Sequence, residues 1–477
     1  MDASRRKRPP CREEEESEMK RRLNVPKTLF FLFLLSNSYF VYAADASKPN
    51  VIFVLFDDLG YGQPKCFREG TEFKTPNLDR LAREGIRFTD AHSAASVCTP
   101  TRYGLLTGRY PSRIGQYGVL TTFSPPIIPK SRLTVASLMK QNGYDTACIG
   151  KWHLGMNWDG KPGNEKTIPV GSKLIESPCA AGFDEFFGYT HARNIGTVIE
   201  QNQVVANVED VETQPRLAKR IVEFLDAPAR KAKPFFLYLP ICPPHTPIVP
   251  AKDFVGKGGT TGKGSDYGDW LYQGDWVLGQ VLEALDRQKL SENTLILASS
   301  DNGAAGRPYA PLRGAKTSIY EGGHRVPFIA RWPEKIKAGS TCDDTICLND
   351  LMATCAEIIG VKLPDDAGED SFSILPDLLG ISKRPVREAT IHQAPNGDLA
   401  IRQGEWKLIF LKNNKRELYN LRTDIGESND VAESNDAVVG RLTALMSKYV
   451  ADGRSTAGTP QKNDAPIELG GKKKKKK

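Results

Sequence analysis

Asn50-Val51-Ile52-Phe53-Val54-Leu55-Phe56-Asp57-Asp58 runs apolar without a break and then ends on two acids. An unbroken apolar run suits a strand covered on both faces, as in a parallel sheet between helices. Residues 144–149, 235–241 and 294–298 carry similar runs. Between them, Pro76–Glu84 reads as a helix stopped by Gly85, and 267–288 places Leu271, Val277, Leu278, Val281, Leu282 and Leu285 at helical spacing. This alternation predicts an α/β fold, a large mostly parallel sheet between helical layers. Ligands of such sheets bind beyond the carboxyl ends of the strands. The residues that follow each run are therefore the ones to inspect.

The texture changes near residue 382. Short strands are expected at 399–402, 406–411 and 417–421, and an amphipathic helix at 436–450. This predicts a small antiparallel sheet plus helix over 382–455, after a main domain over 45–381. Residues 456–477 read as a disordered Lys-rich tail. The stretch GKGGTTGKGS from Gly256 misses the phosphate-loop pattern at Lys257 and Gly264, and reads as a mobile surface loop.

The chain has 477 residues and a net charge of +8. Residues 1–44 carry +3 of that and Lys472–Lys477 carry +6, so the body between them is at −1. A nearly neutral body excludes a basic nucleic-acid-binding face. The apolar run at 29–35 is too short to span a bilayer. Positive residues precede it and small ones follow, as in a secretory signal peptide, with translation starting at Met19 and cleavage after Ala43. The expected product is exported, periplasmic, cell-surface or secreted, without a transmembrane anchor. Export allows disulfides among the eight later cysteines, and Cys342 and Cys347 are close enough in sequence to pair.

Chemistry concentrates at a few places. Asp57-Asp58 and Asp301-Asn302 both follow apolar runs, and supply hard oxygen ligands suited to Ca²⁺ or Mg²⁺. Repelling carboxylates stay ionised with a cation between them. Cys98-Thr99-Pro100-Thr101-Arg102 places a cysteine where Pro100 marks the first turn of a helix, with Arg102 one turn on.

The segment from Cys98 to Arg109 resembles the signature of the type I, formylglycine-dependent sulfatases, arylsulfatase A and N-acetylgalactosamine-6-sulfatase among them, within the alkaline-phosphatase-like superfamily. Gly150–Gly155 (GKWHLG), Pro243–Pro247 (PPHTP), Leu312–Gly323 and 417–421 (ELYNL) resemble further blocks of that family, in family order. The resemblance implies that Cys98 becomes formylglycine, whose hydrate is the nucleophile, through a formylglycine-generating maturation enzyme. It implies that Asp57, Asp58, Asp301, Asn302 and the modified Cys98 hold one divalent ion, Ca²⁺ rather than Mg²⁺. It implies that Arg102 and Lys151 hold the hydrate and the sulfate, and that His153 is the base that ejects sulfate. His245 and Lys316 would act on the sulfate and the leaving oxygen. The activity implied is hydrolysis of a sulfate monoester on a carbohydrate or aryl alcohol. A phosphate-ester hydrolase of the same superfamily and a silent carbohydrate-binding relative are the rival readings. His92, His191, His324 and His392 match no catalytic role.

Overall fold

The computed structural model describes residues 48–165, 168–262 and 264–470. The segment read as a signal peptide and Lys472–Lys477 lie outside them. A compact unit begins at Lys48.

Five parallel strands form the middle of a ten-stranded sheet: β1 (Asn50–Asp57), β2 (Asp145–Lys151), β3 (Glu185–Tyr189), β4 (Phe235–Pro244) and β5 (Thr294–Ser300), ordered β5-β1-β4-β2-β3. Shorter strands extend the sheet at each side, with Ser340–Cys342 and Gln203–Asn207 outermost. Alternation along β1 feeds two cores. Val51, Phe53 and Leu55 enter one, while Ile52, Val54 and Phe56 enter the other. The first core takes helix α1 (Cys98–Thr107) through Leu105 and Leu106, and the second takes α2 (Ser265–Gln288) through Trp270, Leu278 and Val281. Both faces are covered, which is why the apolar runs are unbroken.

A four-stranded antiparallel sheet, Thr390–Gln393, Leu399–Gln403, Trp406–Phe410 and Arg416–Asn420, packs with the helix Asp436–Ala451. A buried polar seam joins it to the large sheet. Lys407 Nζ lies 3.1 Å from Glu321, 2.7 Å from Glu427 and 2.9 Å from His324 Nε2. His324 stacks on His392 with ring centres 3.9 Å apart, and His92 Nδ1 is 3.0 Å from His324 Nδ1. Burial pushes all three imidazoles down, so they are neutral packing groups.

The structure corrects two expectations and does not use one pairing that the sequence left open. Residues 456–470 are not a disordered tail but a strap along the body. Arg113 O accepts from the backbone N–H groups of Asp464 and Ala465, Arg113 Nη1 donates to Asn463, and Arg109 pairs with Asp464 at 2.6 Å. Polar residues are ordered here by buried arginines that lie far away in sequence. Cys342 and Cys347 are both free thiols, in separate sheets. The glycine-rich loop is pinned, because the Asp269 carboxylate accepts from Gly256 and Gly258 N–H at 2.8 and 2.7 Å. No helix among the described residues is long and apolar enough to cross a membrane.

Arg113 and Asp370 form a buried two-pronged pair at 2.7 Å under the strap. Removing one partner leaves an uncompensated buried charge. Arg113→Ala is expected to cost about 3–5 kcal/mol in urea unfolding. A loss below about 1 kcal/mol would show that the strap does not depend on this pair.

Candidate active site

The carboxyl ends of four neighbouring strands meet at one place. β1 ends on Asp57, β2 on Lys151, β4 runs into His245, and β5 runs into Asp301 and Asn302. The pairing of Phe56 with Ser300 sets Asp57 and Asp58 beside Asp301, whose Oδ1 accepts from Asp58 N–H at 3.2 Å. β2 and β4 approach closely at Gly150, where a Cβ would sit 2.1 Å from Pro240 O. Cys98 opens α1, and no side chain caps that helix N-terminus, so its first-turn N–H groups and dipole face the same region. Asp58, His153 and Thr317 adopt φ of 65, 59 and 77°. Left-handed backbone at such side chains costs of order 1–3 kcal/mol each, and persists because the surrounding packing fixes it.

Charge is dense here and nearly all buried. Arg102 grips Asp301 Oδ2 through Nε at 3.1 Å and Nη2 at 2.7 Å, and donates to Lys151 O at 3.3 Å. Lys151 Nζ meets Asp57 Oδ2 at 2.5 Å, and Lys316 Nζ meets Asp58 Oδ1 at 2.6 Å. Burial opposes ionisation of Asp57, but Lys151, His245 and Arg102 hold it well below the usual carboxylate range. Burial and then the Asp57 charge push Asp301 up to about 6. The two Lys, though buried, are kept charged by these acids.

Cys98 Sγ lies 3.6 Å from Asp57 Oδ1 and 3.4 Å from Lys316 Nζ. Burial pushes its thiol up to about 12, despite Lys151 and Lys316. Such a thiol is not a nucleophile near neutral pH. His153 Nε2 lies 3.0 Å from Leu120 O, which only an N–H there can use, so Nδ1 keeps its lone pair. That Nδ1 is buried without a partner among the described residues, and burial with Lys151 and Arg102 holds the ring neutral. His245 Nδ1 donates to Thr246 O, and Nε2 sits 3.6 Å from Asp58 Oδ2.

The donor set fits a divalent cation. Ligand atoms of Asp57, Asp58, Cys98 and His245 lie within 4.8 Å of one another. Asn302 donates to Asp58 Oδ1 at 2.7 Å, leaving its own Oδ1 buried with no partner among the described residues. An orphaned amide oxygen among crowded carboxylates is what a hard cation relieves.

Thr190 and His191 follow β3; the sequence singles out neither for the site, and His191 carries no assigned role there. Thr190 O accepts from His153 N–H at 2.7 Å, and the His191 ring is 5.5 Å from that of His153. His191 Nε2 meets Thr122 Oγ1 at 2.9 Å, while burial and Lys151 push it down to about 4. The signal was available: β3 is a fifth parallel strand, and its carboxyl end obeys the rule that located the others.

A sulfatase family model matches residues 49–361, and a model for the C-terminal part of N-sulphoglucosamine sulphohydrolase matches 315–452. An N-acetylgalactosamine-6-O-sulfatase of Bacteroides thetaiotaomicron is 30% identical, over 84% of this chain and 93% of its own length. Arylsulfatase A of Homo sapiens is 34% identical, over 77% of this chain and 76% of its own. The crystal structure of Ps i-CgsB in complex with k-i-k-neocarrahexaose superposes with a TM-score of 0.76 at 28% identity, over 87% of this chain and 95% of that one.

The raised thiol makes a prediction. With Cys98 left unconverted, alkylation by iodoacetamide near neutral pH is expected to be about a thousandfold slower in the native chain than in urea, from the thiolate fraction alone. Peptide mass spectrometry reads this, and equal rates in the two states would refute it.

Proposed function

The chain belongs to the sulfatase family and is a sulfuric ester hydrolase, and from that premise we propose that it removes sulfate from a sulfated carbohydrate with a nucleophile made from Cys98 beside one Ca²⁺. The reading is carried by the convergence of Cys98, Lys151, His245 and Lys316 with three carboxylates at one end of the sheet. The thiol at position 98, held protonated, is a poor nucleophile as it stands, and the reading takes it to be converted to formylglycine by a maturation enzyme, which would supply an aldehyde hydrate as the nucleophile. Ca²⁺, held by Asp57, Asp58, Asp301, Asn302 and position 98, would supply charge neutralisation for the ester and the nucleophile.

The remaining work falls to this chain's own side chains. A sulfate monoester is an anion, and Lys151 and Lys316 place two ammonium groups where its oxygens gather charge. Arg102 fixes Asp301, so that carboxylate cannot swing away from the cation it helps to hold. His153, neutral with a free Nδ1, is suited to take a proton from position 98 when sulfate is released. His245, whose Nδ1–H is held by Thr246 O, would deliver a proton to the departing alcohol from Nε2 in its imidazolium form, which burial disfavours and the Asp57 and Asp58 charges favour. The names of the Bacteroides relative and of the neocarrahexaose complex favour a sugar as the alcohol. Export rests on the segment before residue 44 and would be checked by finding Ala44 as the mature N-terminus.

The test is sulfate release from sulfated glycans and an aryl sulfate, by chain co-expressed with a formylglycine-generating enzyme. Cys98→Ala is expected to abolish release. His245→Ala should lower kcat by about a hundredfold or more on sugar sulfates, and less on aryl sulfates, whose phenol needs no proton. Faster turnover of the matching phosphate esters would overturn the assignment. A chelator should lower both activity and Tm, and Ca²⁺ should restore them; an Asn302→Leu chain that responds equally would remove Asn302 from the ligand set.

A further inference from the structure

A second group of metal-ligating side chains lies at the edge of the large sheet, outside the catalytic end. Cys342 closes the outermost strand Ser340–Cys342, Asp343 and Asp344 form the turn after it, and Asp377 comes from the short helix Leu375–Leu378. Ligand atoms of Cys342, Asp344 and Asp377 all lie within 4.8 Å of one another. Asp377 is 2% exposed, and neither of its carboxylate oxygens has a hydrogen-bond partner among the described residues. Ser382 and Asp344 lie beside it, but Ser382 Oγ donates to Arg384 O instead. No ion pair reaches Asp343, Asp344 or Asp377 among the described residues. A buried carboxylate set beside another carboxylate and a thiol, with only the Ser382 hydroxyl near it and no cation paired with it among the described residues, is an arrangement that proteins avoid unless something positive joins it.

We propose that Cys342 Sγ and the carboxylates of Asp344 and Asp377 bind a second divalent cation, of the borderline class that Zn²⁺ represents. The thiolate decides the class. The catalytic end offers hard oxygens suited to Ca²⁺, whereas sulfur selects Zn²⁺ and its neighbours. Burial pushes the Cys342 thiol up to about 11 and Asp377 up to about 6, the behaviour of would-be anions that face one another without a counter-ion. Binding releases the thiol proton, and the carboxyl proton where one is held, as the S–H bond gives way to a metal–sulfur bond. Asp343 and Asp344 line a cavity of about 540 Å³ at the seam with the small sheet. Once bound, the ion would tie the sheet edge to the helix Leu375–Leu378 and restrain the chain between them.

The full-length, Ca²⁺-loaded chain is titrated with Zn²⁺ and separately with Co²⁺, beside Cys342→Ser and Asp377→Asn chains. Wild type is expected to bind one equivalent of Zn²⁺ more than Cys342→Ser, and its Co²⁺ form to show a thiolate-to-metal charge-transfer band. Asp377→Asn should weaken Zn²⁺ binding by about tenfold or more. Sulfate release should be unchanged in both variants, since neither residue touches the catalytic end. Equal Zn²⁺ stoichiometry in wild type and Cys342→Ser would overturn the site. So would a Co²⁺ spectrum without the thiolate band, as expected of two carboxyls that merely share a proton. Should the variants fail to fold, alkylation of Cys342 in the wild-type chain decides. Zn²⁺ is expected to block it, and an unaltered rate refutes the proposal.

Discussion

Three carboxylates crowd the carboxyl ends of β1 and β5, and their mutual repulsion is the constraint that organises the molecule. Asp57, Asp58 and Asp301 are buried together, where one unpaired charge would be intolerable. Arg102, Lys151 and Lys316 answer them within the chain, each from a different element. Carrying six charges into one small region requires a frame rigid enough to hold every partner in reach. Strands covered on both faces supply that frame. The price is local: three residues at this end sit in left-handed backbone.

A second balanced charge cluster supports the first from behind. Asp90, Glu321 and Glu427 face Arg325, Arg402 and Lys407 around the stacked imidazoles of His324 and His392. Glu321 and His324 belong to the same turn as Gly323, whose carbonyl accepts from Gly303 N–H next to Asn302. The small sheet therefore reaches the carboxylate cluster through two or three bonded steps. Its contribution is to position the loop between Asn302 and Lys316, rather than to enter the site.

What could be read from the sequence follows from how each element is stabilised. β1, β4 and β5 announced themselves because burial on both faces demands unbroken apolar runs, and the acids that end β1 and follow β5 marked the site. Lys151, His153, His245 and Lys316 are single polar residues that composition and spacing could not separate from surface ones. They became legible only through resemblance to whole sequence blocks. β3 was missed because EFFGY is short and holds a glycine, so Thr190 went unnamed and His191 was left without a role. The strap over 456–470 was misread for a deeper reason. Its residues have no periodicity, and its order comes from Arg109 and Arg113, which stand some 350 residues earlier.

That strap has a consequence in time. Arg109 and Arg113 follow directly on the helix that begins with Cys98, and they gain these partners only when the last part of the chain arrives. At about 5–20 residues per second, the 355 residues between Arg109 and Asp464 take about 20–70 s to synthesise. During that interval the segment around Cys98 lacks its final clamp, whereas in the finished fold the side chain is 2% exposed. The chain order thus sets a clock: the clamp on the far end of the helix that Cys98 opens is among the last contacts the chain can form.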